Sequence, residues 1–371
     1  MRLLATLVVS FNVLVAVSQQ PVMPDTDVNN QPGQLSFTFG SLSFFRNNEF
    51  RNPITKGYTL TGSHLRPLLS WAPVEGLEIK GGLSLSIWSG YDGSPIIKPV
   101  FSTSLNLFDE VRITIGSLDG PDKHNMFDPH FDSEKLYSDF QEEGFQFLVG
   151  KEHFFSDTWV NWEMFTFWGD RHREELTFGE SLRFFAGEPG AKLRFEFPVQ
   201  VLARHWGGDI SIYTEPVETH LNLAGGVRMI VGSDPGSGNG TGIEATAFTY
   251  IKGRDMSDIE FNDSYGLWFR GDHTFGDIFV TAGIWVSNNF HSPNGNRMFS
   301  SISNYLDGVT VPRRTLLTGS INYTKSHKTG FFSFLQGFDW YYDINEKRFD
   351  YTMTLHIRLP ERSYGLSRHG Q

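Results

Sequence analysis

The 371-residue chain contains no cysteine. Disulfides, thiolate metal sites and an amino-terminal lipid anchor on cysteine are therefore excluded. Long apolar runs are also missing: after the first residues no segment reaches the roughly eighteen apolar positions that a membrane-spanning helix needs. Positive charge is in deficit, with 31 Lys and Arg against 42 Asp and Glu and a formal net charge of −11, which argues against nucleic acid as a partner. What is abundant is aromatic: 15% of the chain, including 34 Phe and 9 Trp, yet mean hydropathy is −0.28. Apolar residues interleaved with polar ones give that combination. A two-faced sheet in water gives it too, so composition leaves the solvent open.

The first residues read as an export signal. Arg2 supplies the charge, 3–17 the apolar run, and Ala16-Val17-Ser18 a small-x-small cleavage site before Gln19. The run is broken by Ser10 and Asn12 and is short for a bilayer span; a retained anchor is the alternative. Residues 1–18 are thus expected to be a signal peptide, and the Pro/Asn/Gln-rich stretch 19–34 a flexible lead-in. An exported chain without spanning helices crosses a membrane only as a closed barrel, because every backbone donor must be paired.

From Leu35 the period becomes two. Leu77, Ile79, Leu83, Leu85 and Ile87 alternate with Glu78, Lys80, Ser84 and Ser86. Phe349, Tyr351, Met353, Leu355, Ile357 and Leu359 alternate with Asp350, Thr352, Thr354, His356 and Arg358. Segments of roughly ten such residues between turn residues are the signature of outer-membrane strands. About sixteen can be counted, and the gaps between them fall into two classes. One set is mostly short (72–76, 108–110, 156–157, 186–190, 276–277, 326–330) and the alternate set mostly long (46–57, 119–143, 205–216, 252–263, 289–313). Gly232 to Thr241 and Asp343 to Glu346 break the rule. The expected fold is all-β: a transmembrane antiparallel β-barrel of about sixteen strands over 35–359, with long extracellular loops, short periplasmic turns and a C-terminal tail at 360–371. Aromatic residues near proposed strand ends (Phe44, Phe45, Trp71, Trp88, Phe154, Phe155, Trp168, Phe184, Phe185, Trp340 to Tyr342) suit girdles at the two interfaces, although strands favour aromatic residues anyway.

The longest interruption of the alternation is 119–143. It carries eight carboxylates, Asp119, Asp122, Asp128, Asp132, Glu134, Asp139, Glu142 and Glu143, against Lys123 and Lys135. Phe127, Phe131, Leu136, Tyr137 and Phe140 give it apolar surface to pack, so an ordered, functional loop is expected. With apolar side chains facing lipid, the opposite parity lines the lumen and includes Arg183, Lys192, Arg194 and Arg228 on neighbouring segments. Like charges so placed repel and need anionic partners or a solvated wall.

In Gly116-Ser117-Leu118-Asp119-Gly120, Asp128-Pro129-His130-Phe131-Asp132, Glu143-Gly144-Phe145-Gln146-Phe147 and Trp159-Val160-Asn161-Trp162-Glu163, the chain resembles bacterial outer-membrane porins, most of all the uncharacterised porin-like β-barrels of Bacteroidetes. The resemblance covers about 35–359 and implies passage of small hydrophilic solutes or ions across the bacterial outer membrane, with no catalytic residue. It also implies that the acidic loop (Asp119, Asp122, Asp128, Asp132, Glu134, Asp139) folds inward and faces the basic cluster Arg183, Lys192, Arg194 and Arg228 across a constriction. A loop lying outside on the rim is the other arrangement. The chain departs from many such barrels in that Glu361 to Gln371 follow the last expected strand, rather than a terminal aromatic.

The expected function is therefore a passive or weakly selective channel, not an enzyme. Outer-membrane lipid and small solutes are the expected partners; cofactor and metal are absent from the expectation, and a homo-trimer is left open. Asp128, Asp132 and Glu134 offer hard oxygen ligands of the kind calcium takes, but lack the glycine and spacing of an EF-hand, and a solvated acidic loop is favoured. His291-Ser292-Pro293-Asn294-Gly295 is superficially like the His/Ser region of outer-membrane phospholipases. A Ser/His pair needs reach rather than adjacency and no orienting partner is visible, so catalysis is not expected there. Gly236-Ser237-Gly238-Asn239-Gly240 lacks the lysine and helix of a phosphate-binding loop and reads as a turn. Two alternatives stand beside the channel: a barrel hydrolase acting on lipid or peptide at the outer rim, and a plugged structural or adhesive barrel.

Overall fold

Wherever apolar and polar residues alternate, the chain is extended. The computed structural model describes residues 32–188, 190–208, 212, 216–232, 240–253 and 263–366. The expected signal peptide, most of the lead-in and the glycine-rich segment 236–239 lie outside them. The strands are β1 (Leu35–Glu49), β2 (Thr59–Val74), β3 (Leu77–Trp88), β4 (Ile96–Phe108), β5 (Val111–Ser117), β6 (Glu143–Lys151), β7 (Phe154–Met164), β8 (Glu174–Ala186), β9 (Leu193–Gly207), β10 (Glu218–Val231), β11 (Gly240–Gly253), β12 (Tyr265–Phe275), β13 (Ile278–Asn288), β14 (Arg313–Ser326), β15 (Ser333–Asp343) and β16 (Arg348–Gly365).

Each strand pairs antiparallel with its sequence neighbours, and β16 pairs with β1, so the sheet closes into a sixteen-stranded barrel without an edge. Closure satisfies the backbone in lipid, where water cannot. The last strand runs to Gly365, past the expected limit at 359, because its end pairs with the start of β1 (Ser36 opposite Gly365, Phe37 opposite Tyr364) and completes the ring. Short turns such as 75–76, 109–110, 152–153 and 276–277 mark the periplasmic end, and the long connections 118–142 and 289–312 the extracellular one.

The faces are inverted relative to a soluble barrel. On β1, Ser36, Thr38, Arg46 and Asn48 point inward and are buried, while Leu35, Phe37 and Phe45 point outward and are exposed. On β16, Leu355 and Ile357 are exposed and Thr352 and Thr354 are buried. Leu355→Arg near the middle of β16 should therefore cost about 2–4 kcal/mol, and Leu355→Ile under about 1.5 kcal/mol, both read from denaturant unfolding in vesicles. Equal costs would mean that Leu355 does not face lipid. Of the expected girdle, Phe45, Trp71, Trp168 and Phe184 are exposed, whereas Phe44, Phe155, Phe185 and Tyr341 are buried inside. Adjacent aromatics in a strand must divide between its two faces.

Candidate functional site

At the end of β5, Gly116, and beyond the strand Gly120, adopt φ of 103° and 104°, a region that favours glycine; a Cβ on Gly116 would meet the Phe101 carbonyl at 2.1 Å. The 118–142 loop turns inward there. Asp119 pairs with Arg112 (3.8 Å) and Asp122 with Arg358 (2.5 Å). The loop then reaches the opposite wall, where the Asn125 carbonyl accepts from Arg183 (2.8 Å) and Gln200 (3.0 Å), and the Phe127 ring meets Phe248 at 5.6 Å. It returns to β1, β2 and β16. Glu134 accepts from Arg46 (3.1 Å), Asn48 (2.6 Å) and Tyr58, and Tyr137 bonds His64 through its carbonyl (3.0 Å) and His356 through its hydroxyl (2.9 Å). The loop thus crosses the lumen.

His124 fastens the crossing. It is fully buried, with Nε2 2.8 Å from Glu142, Nδ1 2.9 Å from Asp157 on β7, and its ring stacked on Trp159 at 3.7 Å. Burial alone would lower its pKa, but the two carboxylates outweigh that and raise it to about 10. The imidazolium also suits the indole face. Because the folded pKa is raised, the stabilisation is complete below the ordinary value near 6.5 and is lost as pH rises toward 10. Tryptic cleavage after Lys123 should therefore quicken between pH 7 and 10, relative to a denatured substrate. His124→Phe should flatten that dependence; an unchanged dependence would show that His124 does not hold the loop.

The basic residues singled out from sequence have other neighbours. The β8–β9 hairpin closes at Ala186 opposite Phe195, so Arg183 lies opposite Pro198 rather than beside Lys192. Arg183 pairs with Glu196 (2.6 Å). Arg228, opposite Glu196, pairs with Asp272 at 2.9 Å. Arg194 lies over the Phe185 ring at 4.3 Å, and Lys192 is exposed in the turn before β9. Strand carboxylates neutralise Arg183 and Arg228, Arg194 donates to the Glu152 carbonyl (3.4 Å), and of the four only Arg183 touches the loop, through a backbone carbonyl. The loop's acids instead meet cations of β1, β4, β5 and β16: besides the pairs above, Asp139 lies 3.9 Å from Lys98. Asp128 and Asp132 bond within the loops, Asp128 accepting from Ser133 (3.0 Å) and Asn296 (2.6 Å) and Asp132 from the Glu134 amide (2.9 Å). With Glu134 held by Arg46, the three do not converge as calcium ligands would. Among the described residues the convergent set is Glu152, His153 and Glu188, exposed at the periplasmic turns.

A second inward loop, 289–312, was not singled out as such from sequence. Phe290, Met298 and Phe299 are buried against Trp268, Trp285, Leu316 and Tyr341, apolar anchors of the kind that marked the 119–143 loop. It lies on the first loop: the Asp132 amide donates to Asn294 (2.7 Å), Asn296 to Asp128 (2.9 Å), and the Ser292 hydroxyl to the His130 carbonyl (2.8 Å). A Cβ on Gly295 would sit 2.0 Å from the Pro129 carbonyl, so only glycine permits this approach.

Between this loop and the extracellular ends of β8, β9 and β10 opens a cleft of about 510 Å³. Two imidazoles share it. His291 bonds the Ser300 hydroxyl through Nδ1 (3.0 Å), and its Nε2 has no hydrogen-bond partner among the described residues. His220 bonds Tyr250 through Nδ1 (2.8 Å) and lies 3.4 Å from Glu218 through Nε2; the two rings are 6.4 Å apart. Arg173, Arg204 and Arg297 also line the cleft. Arg204 is taken up by Glu163 and Glu175. Arg297 donates to the Pro293 carbonyl (2.9 Å) and pairs with no carboxylate among the described residues. Burial first, and Arg297 second, hold His291 down to about pH 3, so its neutral form prevails at neutral pH.

A closed barrel, apolar outside and polar inside, with its long loops gathered at one end, is a bacterial outer-membrane protein. The chain belongs to the Lipid A 3'-O-deacylase-type family, whose sequence model matches residues 26–364. Among solved structures it is similar to the outer-membrane protein OprD of Pseudomonas aeruginosa (8% identity, 94% of this chain and 98% of that one, TM-score 0.50). It is also similar to OccK11 (OpdR) of the same organism (10% identity, 90% and 98%, TM-score 0.50). At such identities the likeness shows the fold alone. A search of curated proteins by sequence finds no match.

Family membership corrects two expectations, that of a porin-like diffusion channel and that of a protein without enzymatic activity. The physical reason is that both rested on the barrel wall. Alternating strands, inward charge and long loops at one end belong to channels and barrel enzymes alike; the difference lies in what the loops assemble.

Proposed function

We propose that the protein hydrolyses an ester-linked acyl chain of an outer-leaflet glycolipid of the lipid A type, using the extracellular cleft. The observation that supports this most is the pair of imidazoles facing one open cleft, in a chain of a deacylase-type family. Ser292 is bound to the His130 carbonyl, and Ser300 is buried between its bonds to His291 and to the Ile302 backbone, so neither hydroxyl is placed as a nucleophile. Water is then the attacking group. His291 Nε2 takes its proton while the water oxygen adds to the acyl carbonyl. Arg297 stabilises the oxyanion. The C–O bond to the sugar breaks, and the proton held by His291 passes to the departing alkoxide, giving an alcohol and a fatty acid that ionises in water. An anion meeting Arg297 also relieves the cation that lowers His291, making the base stronger as substrate binds.

The test is incubation of purified protein in detergent with lipid A and mass spectrometry of the product. Loss of one acyl chain with release of free fatty acid is expected. An unchanged lipid mass, together with porin-like conductance in a planar bilayer, would defeat the proposal.

A further inference from the structure

The most exposed large apolar side chains among the described residues are Trp168 (85%) and Phe167 (72%), in the 165–173 connection between β7 and β8. β7 has eleven residues, and a tilted strand needs about 9–11 to cross the hydrocarbon. Its last outward residues, Trp162 and Met164, therefore reach the outer interface, and Phe165, Phe167 and Trp168 continue the lipid-facing surface beyond them. These side chains do not hang on slack chain. The Phe167 amide donates to the Asp170 carboxylate (2.7 Å), the Asp170 amide returns to the Phe167 carbonyl (3.2 Å), and Gly169 makes the turn with φ 88°. The Ile212 amide donates to the Asp170 carbonyl at 2.9 Å, adding another exposed apolar side chain. A rigid turn that presents rings outward is adapted to an apolar medium, since in water the same surface would stay hydrated at a cost. Two residues on, the composition changes to Arg171-His172-Arg173 in a chain of net charge −11. Arg171 is exposed, and Arg173 lines the cleft.

We infer that the 165–173 connection is a membrane-inserting hook whose aromatics enter the outer leaflet and whose arginines hand an anionic acylated lipid to the cleft. Insertion follows from continuity with the lipid-facing wall; delivery rests on the proposed role of the cleft. Rings at headgroup level match the amphipathic boundary, and guanidinium groups match phosphate-type oxygens.

Because the chain has no cysteine, Trp168→Cys provides a single labelling site, and Phe167→Cys a second should the first fold poorly. Each is labelled with an environment-sensitive fluorophore and reconstituted in vesicles of anionic phospholipid, with or without bromine on the upper acyl carbons. Blue-shifted emission that bromolipid quenches is expected; water-like emission without quenching overturns insertion. In a second arm, Phe167→Ser with Trp168→Ser should raise KM about tenfold for lipid A embedded in vesicles and leave kcat/KM for a detergent-dispersed short-chain ester unchanged. Equal effects on both substrates, or on neither, overturn delivery. If the parent protein hydrolyses neither substrate, the reading of the cleft fails and delivery with it, while quenching still decides insertion.

Discussion

His291→Ala should lower acyl release about 10²–10⁴-fold, the usual contribution of a positioned general base, with KM nearly unchanged. His291→Gln should do the same, because an amide cannot take the water proton. Since burial and Arg297 hold the imidazole down to about 3, the rate should stay flat from about pH 5 to 8 and fall only in strong acid, whereas an unperturbed histidine would lose half its base form near pH 6.5. Arg297→Gln should move that acid limb upward while slowing the reaction. Initial rates on detergent-dispersed lipid across this range make the check. If His291→Ala keeps more than half the activity, the base lies elsewhere, and His220, tied to Tyr250 and Glu218, is next to examine.

The second large effect concerns Arg314. Its side chain is 1% exposed and donates to the Met298 carbonyl (2.6 Å), the Ser300 carbonyl (2.8 Å) and Asp343 (3.2 Å). Removing one member of a buried ion pair costs about 3–5 kcal/mol, because the other is left unpaired. Here two loop carbonyls lose their donor as well. Arg314→Met should therefore release the 289–312 loop, bring rapid tryptic cleavage after Arg297, and abolish activity through the loss of the Ser300 contact that fixes His291. The barrel should persist, since the strand ladders make none of these bonds, and heat-dependent migration on gels should stay that of the parent. Arg314→Met combined with Asp343→Leu should restore part of the protection. Full activity in Arg314→Met would show that the loop is held by its apolar anchors alone.

The barrel was legible because a strand's period of two survives any tertiary context: Leu355 and Thr354 declare their faces from sequence. Where the loops go was not, since their partners are distant in the chain. Asp119 has Arg112 within its own hairpin, but Glu134 has Arg46, 88 residues away. The acidic loop was visible by length and composition, and the cations it meets were not, because the β8–β9 turn shifts the register and sets Arg183 beside Glu196. His291 illustrates the limit best. Sequence adjacency drew attention to Ser292, whereas the ring is oriented by Ser300 beyond a turn and shares its cleft with His220 from a distant strand. The same apolar reasoning that found Phe127 and Phe131 applies to Phe290, Met298 and Phe299, and would have marked the second inward loop.

Strand lengths around the ring are uneven. β5 has seven residues and β6 nine, against sixteen in β2 and eighteen in β16. A bilayer of uniform thickness does not fit a belt that is low on one side. Of these strands only β5 falls short of the roughly 9–11 residues that a tilted strand needs to cross the hydrocarbon, so lipids beside it must tilt or compress, and mismatch of this kind stores a fraction of a kcal/mol per Å. The annulus of lipid is thus elastically stressed beside β5, two strands from the 165–173 turn. For the proposed lipid hydrolysis, bilayer thickness, varied through acyl length, should then change the rate on membrane-embedded substrate.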